Sequence, residues 1–298
     1  MEGERFRVEA QMPHQGEVNR ARYLPQEHNI IATQASSAEV YIFDSSKYTS
    51  MSDINDKPKP ELRLTGQKKE GFGLSWNKFK KGLLLGASHD GTICCWDIER
   101  PSKSHEALEP ISKYEDHIGA VEDVVWSRQY PDMFASAGDD KRIFLWDMRK
   151  DSKKATIQVE AHASEVLSLD FNPFNEHLLA SASSDKIVAI WDIRNLSARQ
   201  CSLKQHLDEV CTISWATFNE AVIASGSMDR RVFVWDLSRL GKAQTPEEAV
   251  DGPPELLFIH GGHTSKVTEI SWNPNQELVM ASVADDNILQ VWQLVCLI

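Results

Sequence analysis

The sequence has little of what membrane proteins and nucleic-acid-binding proteins need. Positive charge is in deficit, because 32 Lys and Arg stand against 44 Asp and Glu, which gives a net charge of −12. An acidic chain repels phosphate backbones, so a basic surface for DNA or RNA is disfavoured. The longest apolar runs, such as Ile143–Trp146, are far shorter than the roughly 20 residues of a spanning helix. We therefore expect neither direct nucleic-acid binding nor a membrane segment.

Cysteine is sparse as well. The five cysteines form no CxxC pair of the kind that binds zinc, and their odd number does not suit a disulfide framework. The N-terminus lacks the apolar stretch of a secretory signal. These absences predict reduced, intracellular thiols, no metal site and no cofactor.

Catalytic patterns are also missing. Ser88-His89-Asp90 has the letters of a hydrolase triad, but adjacent residues at a strand end cannot point at one another in a relay. Gly71 is followed by Phe72 and not by the Lys of a phosphate-binding loop, and no HExxH motif occurs. We expect no enzymatic activity and no small-molecule substrate.

Tryptophan, in contrast, is abundant, and its placement reveals an internal repeat. Four of the nine Trp end a short apolar run as Trp-Asp, and two weaker copies complete a set of six. Six residues before each aromatic residue stands an Asp or, once, a Ser, and 23 residues before that stands a His or, once, a Gln. The His or Gln positions are His14, Gln67, His117, His162, His206 and His263.

The repeated unit has a constant interior and connectors of variable length. Successive His or Gln positions are 53, 50, 45, 44 and 57 residues apart, which indicates a rigid core with loops between units. Short apolar runs between turn-forming residues predict three strands per unit. An upstream strand, such as Glu61–Leu64 or Ala155–Val159, is expected to complete a four-stranded sheet in each unit. We place the units, within one domain over 1–298, at about 5–44, 57–97, 106–147, 154–192, 199–236 and 254–293.

Units of about 40 to 45 residues that end in Trp-Asp resemble the WD repeat of β-propellers. The resemblance covers residues 5 to 294 and implies an all-β WD40 β-propeller of a seven-bladed family, with six recognisable blades. In that family the His bonds the Asp of the hairpin two strands on, so these histidines are expected to be structural. The predicted pairs are His117 with Asp140, His162 with Asp185, His206 with Asp229, and His263 with Asp286.

Three segments, Gly16–Tyr23, Lys69–Trp76 and Asp251–His263, resemble one branch of this family. The branch contains the retinoblastoma-binding histone-binding proteins and the MSI-type small subunit of chromatin assembly factor. The resemblance implies a nuclear, non-enzymatic scaffold of chromatin assembly, remodelling, deacetylase or Polycomb-type complexes. Histones H3 and H4, and basic peptide motifs of other subunits, are the partners that it implies.

The resemblance also implies that an acidic top face binds the histone H3 tail. Independently of it, Glu17, Glu70, Glu165 and Glu209 each lie three residues after the His or Gln of their unit, so we expect them on one ring around the propeller axis. Carboxylates in a ring attract a peptide rich in Lys and Arg. The residues carried over for tail binding are Glu17, Asn19, Arg20, Glu70, Phe72, Glu122, Glu165, Glu209, Lys266, Asp285 and Asn287.

The chain departs from the branch at three positions of this face. Leu167 stands where the branch has Asn, Cys211 stands where it has Phe, and Phe72 replaces a Tyr. The loss of two peptide contacts is expected to change affinity and specificity for the tail, while the acidic ring remains.

In the branch, the first helix of histone H4 binds between an N-terminal helix and the long loop before the last blade. Here that loop spans about 238–260, and its apolar part, Leu256 to Ile259, is also expected to form an outer strand. No long helix precedes Phe6–Ala10, which resembles the outermost strand of the first blade, so we expect H4 binding to be weakened or absent. Either the chain is truncated or this strand closes a six-bladed ring beside the last unit. The residues carried over are Glu248, Asp251, Leu257, Phe258 and Ile259.

An alternative function rests on the segments Trp146–Arg149 and Trp191–Arg194, which match a WDxR box. The box resembles the docking feature of substrate receptors for cullin-4 ubiquitin ligases. It is short, and in propellers its Arg commonly caps the end of a strand. A ligase receptor or scaffold is therefore the alternative to a histone-binding subunit.

Overall fold

The structure is a computed structural model that describes residues 11–48, 58–100, 107–150 and 153–294. Phe6–Ala10, the expected outermost strand of the first blade, lies outside these residues. The chain divides into two compact units, Met1–Val124 with Lys150–Lys154, and Val125–Arg149 with Ala155–Ile298. Within the described residues, short strands and three single-turn 3₁₀ segments account for all the regular structure.

The first unit contains two sheets. The strands β1 to β4 form an antiparallel sheet in chain order, and β8 adds to it parallel to β4. The second sheet has the order β5-β6-β7-β9. The strands are β1 (Val18–Leu24), β2 (Glu27–Ala35), β3 (Val40–Asp44), β4 (Leu62–Leu64), β5 (Leu74–Trp76), β6 (Leu83–Ala87), β7 (Ile93–Asp97), β8 (Ala107–Leu108) and β9 (Ser112–Tyr114).

The remaining strands form four sheets in simple chain order, namely β10 to β13, β14 to β17, β18 to β21 and β22 to β24. The strand β10 begins in the first unit and ends in the second. The strands are β10 (Val121–Trp126), β11 (Met133–Gly138), β12 (Arg142–Asp147), β13 (Ile157–Glu160), β14 (Val166–Phe171), β15 (Leu178–Ser183), β16 (Val188–Asp192), β17 (Cys201–Leu203), β18 (Val210–Trp215), β19 (Val222–Ser227), β20 (Val232–Asp236), β21 (Leu256–His260), β22 (Val267–Trp272), β23 (Val279–Ala284) and β24 (Ile288–Gln293).

The expectation that the upstream strand belongs to the sheet of its own sequence unit is wrong. The strand β4 pairs with β3, and β13 pairs with β12, so each upstream strand completes the preceding sheet. The strands β9, β17 and β21 do the same. An upstream strand that runs back along the third strand continues an antiparallel meander. Each sequence unit therefore contributes strands to two successive sheets.

The hairpin before each third strand has one recurrent turn. The Asp185 carboxylate accepts the backbone N–H of Ile187, and Asp229 accepts that of Arg231. The residue after each of these Asp has a positive φ, 71° at Lys186 and 70° at Arg230. An Asp side chain that bonds the backbone two residues on stabilises such a turn. This turn accounts for the Asp six residues before each Trp. The other positive φ values at this position occur at Ala38, Gly91, Lys141 and Asn287.

The apolar core lies between successive sheets. In one cluster, Val188 and Ile190 of β16 pack with Val210 and Ile213 of β18. The third strands of the first five sheets are buried on both faces, which is why they are continuous apolar runs rather than alternating ones. This packing fixes the first strand of each sheet, which we call the inner strand; these are β1, β5, β10, β14, β18 and β22. Most of the candidate residues for tail binding lie on these strands or directly before them.

Candidate functional site

In five of the six units, the residue three positions after the His or Gln occupies an equivalent place in its own sheet. The carbonyl of Glu70 accepts the N–H of His89 at 2.8 Å, and the carbonyl of Glu165 accepts that of Ser184 at 3.0 Å. The same backbone hydrogen bond occurs at Glu17, Glu209 and Lys266. The sequence interval therefore corresponds to one structural position, at the start of the inner strand.

In the first of the two compact units, residues on and beside two neighbouring inner strands hold a carboxylate and a guanidinium in place. The amide nitrogen of Asn19 donates to Glu70 Oε2 at 3.1 Å and to the carbonyl of Gly71 at 3.2 Å. Arg20 Nε donates to the carbonyl of Phe72 at 2.8 Å. The Asn19 contact orients the Glu70 carboxylate, which remains partly exposed to solvent. Glu17, in the same unit, is exposed.

His89 joins the same group in the first unit, and the sequence analysis did not include it. Its ring lies 5.3 Å from that of Phe72, and its Nε2 lies 3.2 Å from Glu122 Oε1. The Nε2 atom has no partner in hydrogen-bonding geometry, so the contact with Glu122 is a close electrostatic approach and not a hydrogen bond. The signal that could have identified His89 is its place directly before Asp90, on the turn next to Glu70.

Ser88-His89-Asp90 is not arranged as a catalytic relay. Ser88 Oγ donates to the carbonyl of Lys69 at 2.9 Å, and Asp90 accepts the backbone N–H of Lys68 at 2.7 Å. The His89 ring faces Phe72. Each of the three side chains therefore has a different local partner.

In the second unit, hydroxyl groups hold two further carboxylates. Ser184 Oγ donates to Glu209 Oε2 at 3.2 Å, and Ser164 Oγ donates to Glu165. The Ser164 hydrogen bond lowers the pKa of Glu165, which keeps this carboxylate ionised. Ser184 precedes Asp185 as His89 precedes Asp90, and it too was missed by the sequence analysis.

In the sixth sheet, the residue three positions after the His is a lysine, Lys266, and not a glutamate. Lys266 Nζ lies 3.1 Å from Asp285 Oδ2, and both side chains are more than 40% exposed. Asn287 follows in the left-handed region with a φ of 62°. The pair is exposed, and such pairs contribute little to stability.

Bulges in the inner strands explain where the variable contact residues point. The register shifts between Val166 and Ser168, and again between Val210 and Thr212. The extra residue of each bulge is Leu167 or Cys211, and in β1 it is Asn19. A bulge turns its side chain out of the alternation of the strand. The two departures from the branch therefore lie at the bulge position that Asn19 uses to hold Glu70.

A network of four side chains links the structural His and Asp residues. In the fifth sheet, His206 Nδ1 lies 2.8 Å from Asp229, and its Nε2 lies 2.7 Å from Ser225 Oγ. The same hydroxyl accepts the indole N–H of Trp235 at 2.9 Å. His162 with Asp185, and His263 with Asp286, make the equivalent contacts at 3.0 and 3.3 Å.

The histidine of this network is neutral in the fourth sheet. Burial lowers the pKa of His162, against the opposing effect of Asp185. A neutral ring donates from Nδ1 to Asp185 and accepts the Ser181 hydroxyl at Nε2, which leaves no group of the network without a partner. In the third sheet Trp146 donates to Ser136 at 2.8 Å, His117 is buried, and Asp140 accepts the N–H of Arg142.

The second sheet lacks this network. Gln67 replaces the His, and Gly86 stands where the third to sixth sheets have a Ser, so Trp96 donates instead to the carbonyl of Thr65 at 2.9 Å. The Gln67 Nε2 atom is buried and has no hydrogen-bond partner. A Cβ atom on Gly86 would lie 2.7 Å from the Trp96 ring. The small residue therefore leaves room for the altered Trp96 position.

Restoring the network in the second sheet is expected to show strong coupling between its two altered positions. Gly86→Ser alone should lower the free energy of unfolding by about 1–2 kcal/mol, because the added side chain displaces Trp96. Adding Gln67→His should recover at least about 1 kcal/mol, because His, Ser, Asp90 and Trp96 can then bond as in the other sheets. Urea unfolding of both single variants and the double variant measures the coupling. Additive effects would contradict this account.

The loop before the last sheet, at about 238–260, is called the side loop, and it contains a short capped turn and an outer strand. Thr245 and Glu248 form a reciprocal capping box, with Thr245 N–H donating to Glu248 Oε2 at 2.8 Å and Glu248 N–H donating to Thr245 Oγ1 at 3.3 Å. Glu248 and Asp251 are exposed. The apolar residues lie in β21, where Leu257 packs against the core while Phe258 and Ile259 are exposed.

The arginines of the two WDxR boxes bond their own aspartates. Arg149 contacts both oxygens of Asp147, at 2.9 and 2.6 Å, and Arg194 contacts both oxygens of Asp192 at the same distances. The Arg194 hydrogen bond lowers the pKa of Asp192 to about 2. This geometry favours the role of a cap at the strand end over that of a free docking side chain.

Neither a spanning helix nor a metal site occurs among the described residues. No helix there is long and apolar enough to cross a membrane. No group of three or more His, Cys, Asp or Glu side chains is placed to hold a metal ion there.

A comparison with protein families matches the WD domain, G-beta repeat, in four segments, 108–147, 153–192, 198–236 and 254–293. Together these segments cover just over half of the chain. Propellers built from this repeat generally serve as scaffolds and not as enzymes. The chain therefore belongs to the WD40 family, and its fold is that of an all-β propeller, with six blade sheets in the part of the chain that the structure describes.

Proposed function

We propose that this protein is a nuclear, non-enzymatic histone-binding scaffold, and that the first-unit group binds a basic tail of the H3 type. The group consists of Asn19, Arg20, Glu70, Phe72, His89 and Glu122. The observation that carries the proposal is the placement of Glu70, which Asn19 orients, beside an aromatic pair and the second carboxylate of Glu122.

The chemistry of this group suits a lysine or arginine side chain. Two carboxylates can form charge-assisted hydrogen bonds with an ammonium or guanidinium group. The ring of Phe72 offers a face for a cation–π contact. The net charge of −12 adds a long-range attraction for a basic peptide and raises its rate of association.

The second-unit group, Glu165 and Glu209 with their serine partners, supports the same proposal on its own. Its bulge residues, Leu167 and Cys211, offer an apolar side chain and a thiol in place of an amide or an aromatic ring. We expect this group to contribute charge attraction but little sequence selectivity. Chromatin assembly, remodelling, deacetylase and Polycomb-type complexes are the proposed settings.

The side loop is the proposed contact for the H4 helix. Exposed Glu248 and Asp251 would pair with basic residues of that helix, and Phe258 and Ile259 would contact its apolar face.

Charge reversal in the first-unit group tests the main proposal. We expect Glu70→Lys with Glu122→Lys to weaken binding of a labelled H3 tail peptide by at least about tenfold, since two attractive contacts become repulsive. Fluorescence anisotropy at fixed salt gives the Kd. The matched control is Glu220→Lys with Glu277→Lys, which changes the net charge equally at exposed positions outside both groups.

Equal weakening by both double variants would show that only the overall charge matters and would refute a site at the first-unit group. Absence of binding by the folded wild-type chain would refute the histone-binding proposal. Glu165→Lys with Glu209→Lys measures the share of the second-unit group in the same assay.

A further inference from the structure

The sixth sheet exposes an apolar face that every other sheet buries. Leu289 and Val291 of β24 are 48% and 51% exposed. Leu289 lies three residues before Trp292, and Val291 lies one residue before it. In the other five sheets, the residues three and one before the equivalent aromatic residue are at most 3% exposed. Ala281 and Val283 lie opposite them on β23 and are partly exposed on the same face. We call these four residues the open β24 face.

The packing of the other sheets shows what kind of surface covers such a face. In the fifth sheet, Val232 and Val234 pack with Val267, Ile270 and Trp272 of the next inner strand. The pattern is an aliphatic residue, a second aliphatic residue three positions later, and an aromatic residue two positions after that. In the fourth sheet it is repeated by Val210, Ile213 and Trp215 of the inner strand that follows.

The first unit carries one inner strand of this pattern that is itself uncovered. Val18, Ala21 and Tyr23 of β1 stand at the three positions, and Val18 and Tyr23 are 46% and 59% exposed. At the Tyr23 position the other five sheets have Trp or Phe, at most 7% exposed. We call these three residues the open β1 face.

The side chain of Tyr23 also carries a hydrogen-bond donor, as do the Trp side chains that bond one sheet to the next. Trp215 donates its indole N–H to the carbonyl of Asp170 at 3.1 Å, and Trp272 donates to that of Ser214 at 3.0 Å. Tyr23 offers an aromatic ring with an O–H donor at the same position. The open β1 face therefore has both the apolar surface and a hydrogen-bond donor of the kind that joins the covered sheets.

We propose that the open β24 face of one molecule binds the open β1 face of a second copy of this chain. This inference goes beyond the proposed histone binding and does not depend on it. The contact is heterologous, because two different surfaces meet, so each molecule keeps one free face for a further copy. Buried aliphatic and aromatic side chains supply the free energy of association.

Two complementary variants test this interface. Leu289→Lys with Val291→Lys charges the open β24 face, and Tyr23→Lys charges the open β1 face. All three residues are exposed, so the fold should tolerate the changes, which circular dichroism checks. The matched control is Val250→Lys, because Val250 is 83% exposed and lies on the side loop.

Sedimentation velocity over about 1–100 µM gives the outcome, a range in which interfaces of modest size dissociate. The wild type and Val250→Lys should associate with rising concentration, and each charged variant alone should remain monomeric. A 1:1 mixture of the two charged variants should form a dimer and nothing larger, because one intact face of each kind remains. A monomeric wild type, or a mixture that stays monomeric, would overturn the proposal.

Discussion

Replacement of His206 by alanine is expected to lower the free energy of unfolding by about 3–5 kcal/mol. The buried ring bonds Asp229 at 2.8 Å and Ser225 at 2.7 Å, and it stacks on Phe233 at 4.1 Å. Without the ring, the Asp229 carboxylate keeps only backbone donors, such as the N–H of Leu207 at 3.0 Å. A cavity also opens beside Phe233, which adds to the cost.

The second sheet provides the matched control for this variant. Gln67 occupies the position of the histidine, but its Nε2 atom has no partner, so Gln67→Ala should cost only about 1 kcal/mol. Urea unfolding followed by tryptophan fluorescence and by circular dichroism measures both variants, and coincident transitions justify the comparison. Similar losses for the two variants would show that the network around His206 adds nothing beyond its volume.

The sequence predicts the positions that meet through space within a sheet. The interval of 23 residues between His and Asp reflects a direct contact, as His162 and Asp185 illustrate at 3.0 Å. A contact that recurs from unit to unit constrains the spacing, so it leaves a period in the sequence. The Asp also has a local reason, since its carboxylate stabilises the turn to the third strand.

The sequence does not predict which sheet an edge strand joins. The run Ile157–Glu160 is closer in sequence to β14, which begins at Val166, than to β12, which ends at Asp147. It nevertheless pairs with β12, because the antiparallel return of the chain decides the pairing. The burial of a strand residue likewise depends on whether a neighbouring sheet covers it. Leu289 and Val232 are equivalent aliphatic residues at the same position, yet one is 48% exposed and the other is fully buried. His89 was missed because its role depends on Phe72 and Glu122, which are distant in sequence.

Acidification is the second change with a large expected effect. Burial disfavours ionisation of Asp185, but hydrogen bonds from His162 and from the backbone N–H groups of Ala163 and Ile187 lower its pKa from 3.8 to about 2. A group with a depressed pKa stabilises the fold above the unfolded value, and the stabilisation is lost as the pH falls towards the folded value. Because the Asp185 side chain is only 9% exposed, about 2 kcal/mol should be lost between pH 4 and 2.

Three further groups change stability in the same direction. Burial opposes ionisation of Asp229, but hydrogen bonding to His206 lowers its pKa, and the N–H of Thr264 lowers that of Asp286. The lowered pKa of His162 means that only the unfolded chain takes up its proton just below pH 6.5. The free energy of unfolding should therefore begin to fall near pH 6.5 and fall more steeply below pH 4.

The variant Asp185→Asn separates this contribution from the general effect of acid. It should be less stable than the wild type at pH 7, because an amide is a weaker acceptor for His162 and the backbone N–H groups. It cannot be protonated in this range, so its free energy of unfolding should fall less steeply below pH 4, and the two curves should converge near pH 2. Urea unfolding at half-unit pH steps gives both curves. Curves that stay parallel down to pH 2 would show that Asp185 is not a source of the acid sensitivity.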